Sequence, residues 1–236
     1  MNTKQPCPKR QVFEHLARVG KGLAHAARLD LLDVLAQGER SVDALAKACA
    51  MPIPNASHHL QILRDCGLAA SRKEGLQVFY RLALPEVTTA LAAVRRIAEQ
   101  QLAEVDRIVR ENFASRDALQ PVRREELLKM VRRGEAMVID VRPAEEYAAG
   151  HIAGAVSMPL DALPRFLRKL PKEQDIVAYC RGPYCLLAIE AVDKLRKRGF
   201  RARRLEDGFP EWKAERLPVA VSAQAADRRA SGSASR

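Results

Sequence analysis

The chain has 236 residues, 47 % hydrophobic but only 5 % aromatic, with 40 Lys and Arg against 29 Asp and Glu for a formal charge of +11. That length allows one or two domains with real cores, and the basic surplus makes nucleic acid or another anionic surface a candidate partner. Five cysteines (Cys7, Cys49, Cys66, Cys180, Cys185) are too few and too unevenly placed for a secreted disulfide scaffold. The first residues lack the apolar core of a signal peptide and no apolar run is long enough for a bilayer, so a cytoplasmic protein without a membrane partner is expected.

Residues 1–10, with Pro6 and Pro8, read as a flexible arm. Val12, Leu16 and Val19 give a first helix over Gln11–Val19, and Leu29, Leu32 and Leu35 a second over His25–Gln37, stopped by Gly38. Ser41 is a good N-cap for a third, Val42–Cys49. After the turn Met51–Pro54 comes a fourth, Asn55–Cys66, with Leu60 and Leu63 inward and Gly67 closing it. Leu68–Arg72 and Gln77–Leu82 read as strands of a hairpin around Lys73–Leu76. Short helices followed by a hairpin make an α+β winged helix-turn-helix. Glu86–Asn112 then reads as one long helix whose stripe of Leu91, Val94, Ile97, Leu102, Val105, Ile108 and Val109 would run roughly 40 Å. A stripe of that length needs a partner subunit to cover it.

Ala114–Pro121 is a short linker. From Val122 helices and apolar strands alternate: helix Glu125–Arg133, strand Met137–Val141, strand near Ala155–Met158, helix Leu163–Leu170, strand Ile176–Tyr179, helix Leu186–Arg198 and strand Arg203–Leu205. Such alternation predicts an α/β domain with a parallel sheet whose site lies at the carboxyl ends of its strands. Cys180 stands at one such end and leads through Arg181–Tyr184 to Cys185, which opens a helix. Backbone N–H groups at a helix N-terminus favour a thiolate, so this layout suits sulfur nucleophilic chemistry. A buried structural cysteine at a strand end is the alternative. The two domains are expected at 11–114 and 122–218, with 219–236 a disordered tail rich in Ala, Ser and Arg.

Two resemblances sharpen this reading. A-H-A-A-R-L-D-L-L-D-V-L-A-Q-G, S-V-D-A-L-A-K-A, N-A-S-H-H-L-Q-I-L-R-D-C-G-L and R-K-E-G-L-Q-V-F-Y-R-L strongly resemble the ArsR/SmtB-type winged-helix repressors over about Phe13–Asn112. The resemblance implies a homodimer on a double-stranded, inverted-repeat operator, the fourth helix in the major groove and the wing on the flanking backbone. It places Asn55, Ser57, His58, Gln61 and Arg64 toward DNA, with Arg72 and Lys73 on the wing. Amide and hydroxyl groups can read base edges, and cations contact phosphates. The helix starts at Pro52-Ile53-Pro54, where the family is often polar. The family's inducer sites are missing. Ser41-Val42-Asp43 stands where a thiol pair usually lies, and the long helix has carboxylates but no histidine, so no metal site and no cofactor are expected.

V-I-D-V-R-P-A-E-E-Y-A-A-G-H-I-A-G-A-V-S-M-P, A-Y-C-R-G-P-Y-C and L-E-D-G-F-P-E-W resemble the rhodanese domain over about Val122–Pro218. This implies a single persulfide-forming cysteine, Cys180, in a cradle of the loop backbone from Arg181 through Gly182, Pro183 and Tyr184 to Cys185. Asp140, Arg142, Glu146 and His151 are expected to hold the surrounding loops as a polar network. Rhodanese loops usually close with a cation about where Cys185 stands, which leaves Arg181 as the one charged side chain of the loop. Cys185 is either a resolving thiol for a persulfide on Cys180 or the buried first residue of a helix. The expected function is a repressor responding to sulfane sulfur, persulfide or redox state, with small sulfur species as inducer or substrate. The alternatives are a rhodanese-type sulfurtransferase with an autonomous DNA-binding domain, and a thiophilic metal or metalloid sensor.

Overall fold

A computed structural model describes residues 7–114 and 121–222. The chain divides into two compact units, Met1–Val87 and Thr88–Arg236.

The first unit begins with α1 (Pro8–Leu23). The expected arm therefore ends earlier than residue 10: proline is favoured in a first helical turn, where its missing N–H has no bond to lose. In α2 (Ala26–Ala36) the N-cap is His25, whose Nδ1 accepts from the Ala27 N–H at 3.2 Å. The two-residue β1 (Arg40–Ser41) leads to α3 (Val42–Ala48), capped by Ser41 Oγ accepting from the Ala44 N–H at 3.3 Å. Then comes α4 (Ile53–Asp65), which starts two residues before the expected Asn55 because Pro54 is tolerated in its first turn. The wing is β2 (Ala69–Glu74) and β3 (Gln77–Leu82), antiparallel, with Gly75 at φ +59° in the turn. β1 joins β3 on its other side, a pairing that two residues could not announce in sequence. Leu31, Leu32, Leu45, Ala56, Leu60 and Leu63 are wholly buried and form the core. By contrast Val12, Phe13 and Leu16 of α1 are more than half exposed.

The second unit takes in nearly all of α5 (Glu86–Gln101), followed by α6 (Ala103–Val109) and a π-turn over Arg110–Ala114. The long helix expected over Glu86–Asn112 is thus broken at Leu102, whose φ of −111° and ψ of 105° leave the helical region. Neither proline nor glycine marks the break. The sequence places this helix in the first domain, but Arg95 and Glu99 hydrogen-bond Glu211 and Tyr184 of the second unit, and the following Phe113 ring lies 5.4 Å from that of Tyr184.

The α/β part runs α7 (Arg124–Arg132), β4 (Ala136–Asp140), α8 (Ala144–Ala149), β5 (His151–Ile152), β6 (Val156–Ser157), α9 (Leu163–Phe166), β7 (Asp175–Tyr179), α10 (Leu186–Arg196), β8 (Ala202–Arg204), α11 (Phe209–Ala214) and β9 (Val219–Ala220). Four strands make a parallel sheet in the order β6-β4-β7-β8. Strand side chains alternate between its two faces. Ile139, Ile176, Ala178 and Cys180 pack with Ala188, Ala191, Val192 and Leu195 of α10, while Val138, Val177 and Tyr179 pack with Leu127 of α7 and Phe209 and Trp212 of α11. The expected tail begins too early: Val219 and Ala220 pair antiparallel with β5, and the Pro218 carbonyl accepts from Trp212 Nε1 at 2.9 Å. Two strand residues are too short a signal to read. The rest of that tail, and most of the linker Ala114–Pro121, lie outside the described residues. No described helix is long and apolar enough to cross a membrane.

Candidate functional site

The central strand β7 delivers Cys180 to the carboxyl end of the sheet, and α10 begins directly after Cys185. Cys180 is 3 % exposed, Cys185 is half-buried, and both are free thiols. Cys180 Sγ lies 3.7 Å from the Gly182 carbonyl oxygen and 3.5 Å from that of Cys185. The backbone N–H groups of Gly182 and Ala188 favour a thiolate at Cys180, and those of Arg181 and Leu187 favour one at Cys185.

The two thiols do not share equally in that environment. Burial, and then the neighbouring Cys185, push Cys180 well above the ordinary thiol range. Cys185 is pulled down to about 6, first by the hydrogen bond it receives from Cys180 and then by the amides of Arg181 and Leu187 and the charge of Arg181, against its partial burial. The two thiols are thus shifted in opposite directions, Cys180 up and Cys185 down. At Cys180, where the strand-end position leads one to expect a thiolate, burial opposes the charged form.

Arg181 is not a free cation of the loop. Its Nε and Nη2 reach Glu146 at 3.1 and 2.6 Å, and the Glu146 side chain is 2 % exposed. Arg142 and Asp140, both wholly buried, form a bidentate pair with Nη2 to Oδ2 at 2.6 Å. The same Nη2 donates to the Gly150 carbonyl at 2.7 Å, and the Tyr179 hydroxyl donates to Asp140 Oδ2 at 2.6 Å. His151 Nδ1 bonds the Tyr147 carbonyl at 2.9 Å, and its ring stacks on Tyr147 at 3.7 Å. The expected loop-holding network is thus present. It tethers the cysteine loop through Glu146.

Comparison with known proteins agrees with this architecture. A helix-turn-helix domain model matches residues 23–72 and a rhodanese-like domain model matches residues 123–215. HTH-type transcriptional regulator Rv0324 of Mycobacterium tuberculosis is 43 % identical over 211 residues, 89 % of this chain and 92 % of that protein. The chain belongs to the HTH-type transcriptional regulators, as an ArsR/SmtB-like winged helix fused to a rhodanese-like domain. A sulfurtransferase of Allochromatium vinosum is 29 % identical over 86 residues, 36 % of this chain and 78 % of its own. The solution structure of a homodimeric winged helix-turn-helix domain from Mycobacterium bovis is 41 % identical, covering 44 % of this chain and 95 % of its own at a TM-score of 0.39.

In this fused regulator the reading-helix candidates lie on one half of α4. At about 100° per residue, Asn55, Ser57, His58, Gln61 and Arg64 spread over the half-cylinder opposite Ala56, Leu60 and Leu63. All but the half-buried Ser57 are exposed. Arg64 is bonded to its neighbour Asp65 at 3.1 Å. Arg72 on the wing is engaged within the protein: Nη2 meets Glu39 at 2.8 Å, Nη1 pairs with Glu74, and the guanidinium lies over Phe79 at 4.6 Å. Lys73 is exposed. His59 packs against His25, with ring centroids 4.6 Å apart, and its buried Nδ1 has no partner; burial, then His25, lowers its pKa. The described residues contain no group of three or more His, Cys, Asp or Glu that could hold a metal.

Two residues of the loop's surroundings escaped the sequence analysis, Arg95 and Glu99; Gly208 and Glu211 lie in the L-E-D-G-F-P-E-W signature, but their contacts with the loop had no signal. The Tyr184 hydroxyl donates to Glu99 Oε1 across 85 positions, and Arg95 pairs with Glu211 across 116. No local periodicity signals bonds that distant.

Proposed function

We propose that the protein is a homodimeric repressor of an inverted-repeat operator, and that sulfane sulfur captured by Cys185 and Cys180 lowers its affinity for DNA. The observation that carries the sulfur reading is the thiol pair at the two ends of one loop: a buried Cys180 where β7 ends and a half-buried Cys185 where α10 begins, both free, with the Cys180 sulfur 3.5 Å from the Cys185 carbonyl oxygen. The exposed α1 residues Val12, Phe13 and Leu16 support a partner subunit covering that helix. On this reading Asn55, Ser57, His58, Gln61 and Arg64 face DNA, and Lys73 contacts phosphate. Arg72 joins it by exchanging Glu39 for a phosphate.

The chemistry balances with an inorganic polysulfide as co-reactant. The Cys185 thiolate uses an electron pair to bond the terminal sulfur of the polysulfide. The polysulfide S–S bond breaks and its shortened remainder leaves as an anion, so that Cys185 carries a persulfide. The Cys180 thiol then gives up its proton and attacks the Cys185 sulfur. A Cys180–Cys185 disulfide forms, and hydrosulfide leaves, taking that proton as hydrogen sulfide.

A dedicated sulfurtransferase would instead turn over. Thiosulfate is a dianion, and Arg181 is committed to Glu146. With thiosulfate and cyanide, the expected result is thiocyanate formation close to the uncatalysed rate, alongside labelling by polysulfide at about one sulfur or one disulfide per loop. Sustained turnover of many equivalents per protomer would favour the enzyme over the switch.

A further inference from the structure

We propose that Glu99 and Arg95 of α5 are positioning residues for the cysteine loop, so that the long helix and the thiol pair behave as one mechanical element. The inference deepens the sulfur reading and rests on the loop being the reactive site. It is carried by two struts within the second unit.

The first strut ends on Tyr184, the residue before Cys185. Its hydroxyl donates to Glu99 Oε1 at 2.6 Å, the Arg95 guanidinium lies 5.4 Å from its ring, and the Phe113 ring lies 5.4 Å away on another side. A phenol held by a carboxylate, a cation and an aromatic ring has one seat. The second strut reaches the other end of the loop. Arg95 Nη2 donates to Glu211 Oε1 at 3.1 Å, in a pair only 19 % and 9 % exposed. Glu211 Oε2 accepts the Gly208 N–H at 3.1 Å. Gly208 lies so close to the loop that a Cβ there would fall 2.4 Å from the Arg181 carbonyl carbon and 2.4 Å from the Gly182 nitrogen. The next residue, Phe209, donates its N–H to the Cys180 carbonyl at 3.0 Å.

The struts therefore hold Arg181, whose backbone N–H and charge both favour a thiolate at Cys185, and Tyr184, whose neighbour is Cys185 itself. Moving α5 moves the amides that stabilise the thiolate. Conversely, a bond formed between the two sulfurs pulls on Tyr184 and through it on Glu99. A cavity of about 330 Å³ beside Tyr184, Glu99, Arg95 and Phe113 gives the phenol room to leave its seat. Coupling of this kind needs a contiguous packed and hydrogen-bonded route with two arrangements, and these contacts supply the route.

The test needs neither DNA nor a sulfur donor, so it stands apart from the sensing proposal. Full-length protein is alkylated with iodoacetamide across pH 5 to 9, and the Cys185 peptide is followed by mass spectrometry. Tyr184→Phe removes one hydroxyl and keeps the ring packing; Glu99→Ala removes the acceptor; Glu99→Gln restores a weaker one. The expected result is a rise of about one pH unit in the midpoint of Cys185 alkylation for Tyr184→Phe and Glu99→Ala, or about tenfold slower alkylation below the midpoint, with Glu99→Gln in between. Wild-type midpoints in both Tyr184→Phe and Glu99→Ala would overturn the proposal.

Discussion

Cys185→Ser is expected to slow alkylation and persulfidation of the loop at pH 7 by about a hundredfold. The thiolate is the nucleophile. A thiol pulled down to about 6 is about nine-tenths ionised at pH 7, whereas an ordinary one at 9.0 is about one per cent ionised. Cys180 cannot replace it, because burial alone, the largest cause, keeps its pKa high once Cys185 is gone. The companion variant behaves differently. Cys180→Ala removes the thiol hydrogen bond that does most to lower Cys185, so the pH midpoint should rise while the reactivity at high pH is kept. The sign follows from the depressed pKa: wild-type reactivity is present above about pH 6 and lost as pH falls through it. Rates from mass spectrometry of the loop peptide check both. A Cys185→Ser protein as reactive as wild type would place the charge on Cys180.

Arg142→Met is expected to cost about 3–5 kcal/mol in the second unit, a large part of the total stability of an ordinary domain. Arg142 and Asp140 are wholly buried and bonded in a bidentate pair. Methionine fills much of the volume over Phe209, where the guanidinium lies 4.3 Å from the ring, but it leaves Asp140 without a counter-ion. The Tyr179 hydroxyl and the backbone N–H of residue 142 still reach that carboxylate, but they are neutral donors. The Gly150 carbonyl also loses its partner. Removing both charges, as Asp140→Leu with Arg142→Met, should cost less than Arg142→Met alone. Trp212, the chain's one tryptophan, is buried in this unit, so its fluorescence in a urea titration reports the second unit. A midpoint unchanged by Arg142→Met would show that the pair is dispensable.

Residues with a local chemical reason were legible in sequence. Ser41 caps α3 as its hydroxyl led one to expect. Leu60 and Leu63 lie inward on α4, and Ile176–Tyr179 form the strand that delivers Cys180. The network of Asp140, Arg142, Glu146 and His151 was legible because the rhodanese resemblance carried those positions with it. What escaped was set by tertiary structure. Burial, invisible in a strand-end motif, is the largest influence on Cys180 and raises it against the amides around it. The bond between Arg72 and Glu39, thirty-three positions away, had no local signal. The break at Leu102 has no glycine or proline to announce it, and beyond it Phe113 meets Tyr184.

The most direct test of the sensing account is operator affinity in three states of one protein. A fluorescent duplex carrying the inverted repeat selected by the reduced protein is titrated by anisotropy at fixed salt, since binding to DNA depends steeply on ionic strength. Reduced protein, polysulfide-treated protein, and treated protein re-reduced with a thiol are compared. The expected result is a loss of at least tenfold in affinity on treatment, fully restored by the thiol and absent in Cys185→Ser. The same Kd in all three states would contradict the account and leave the two domains working separately.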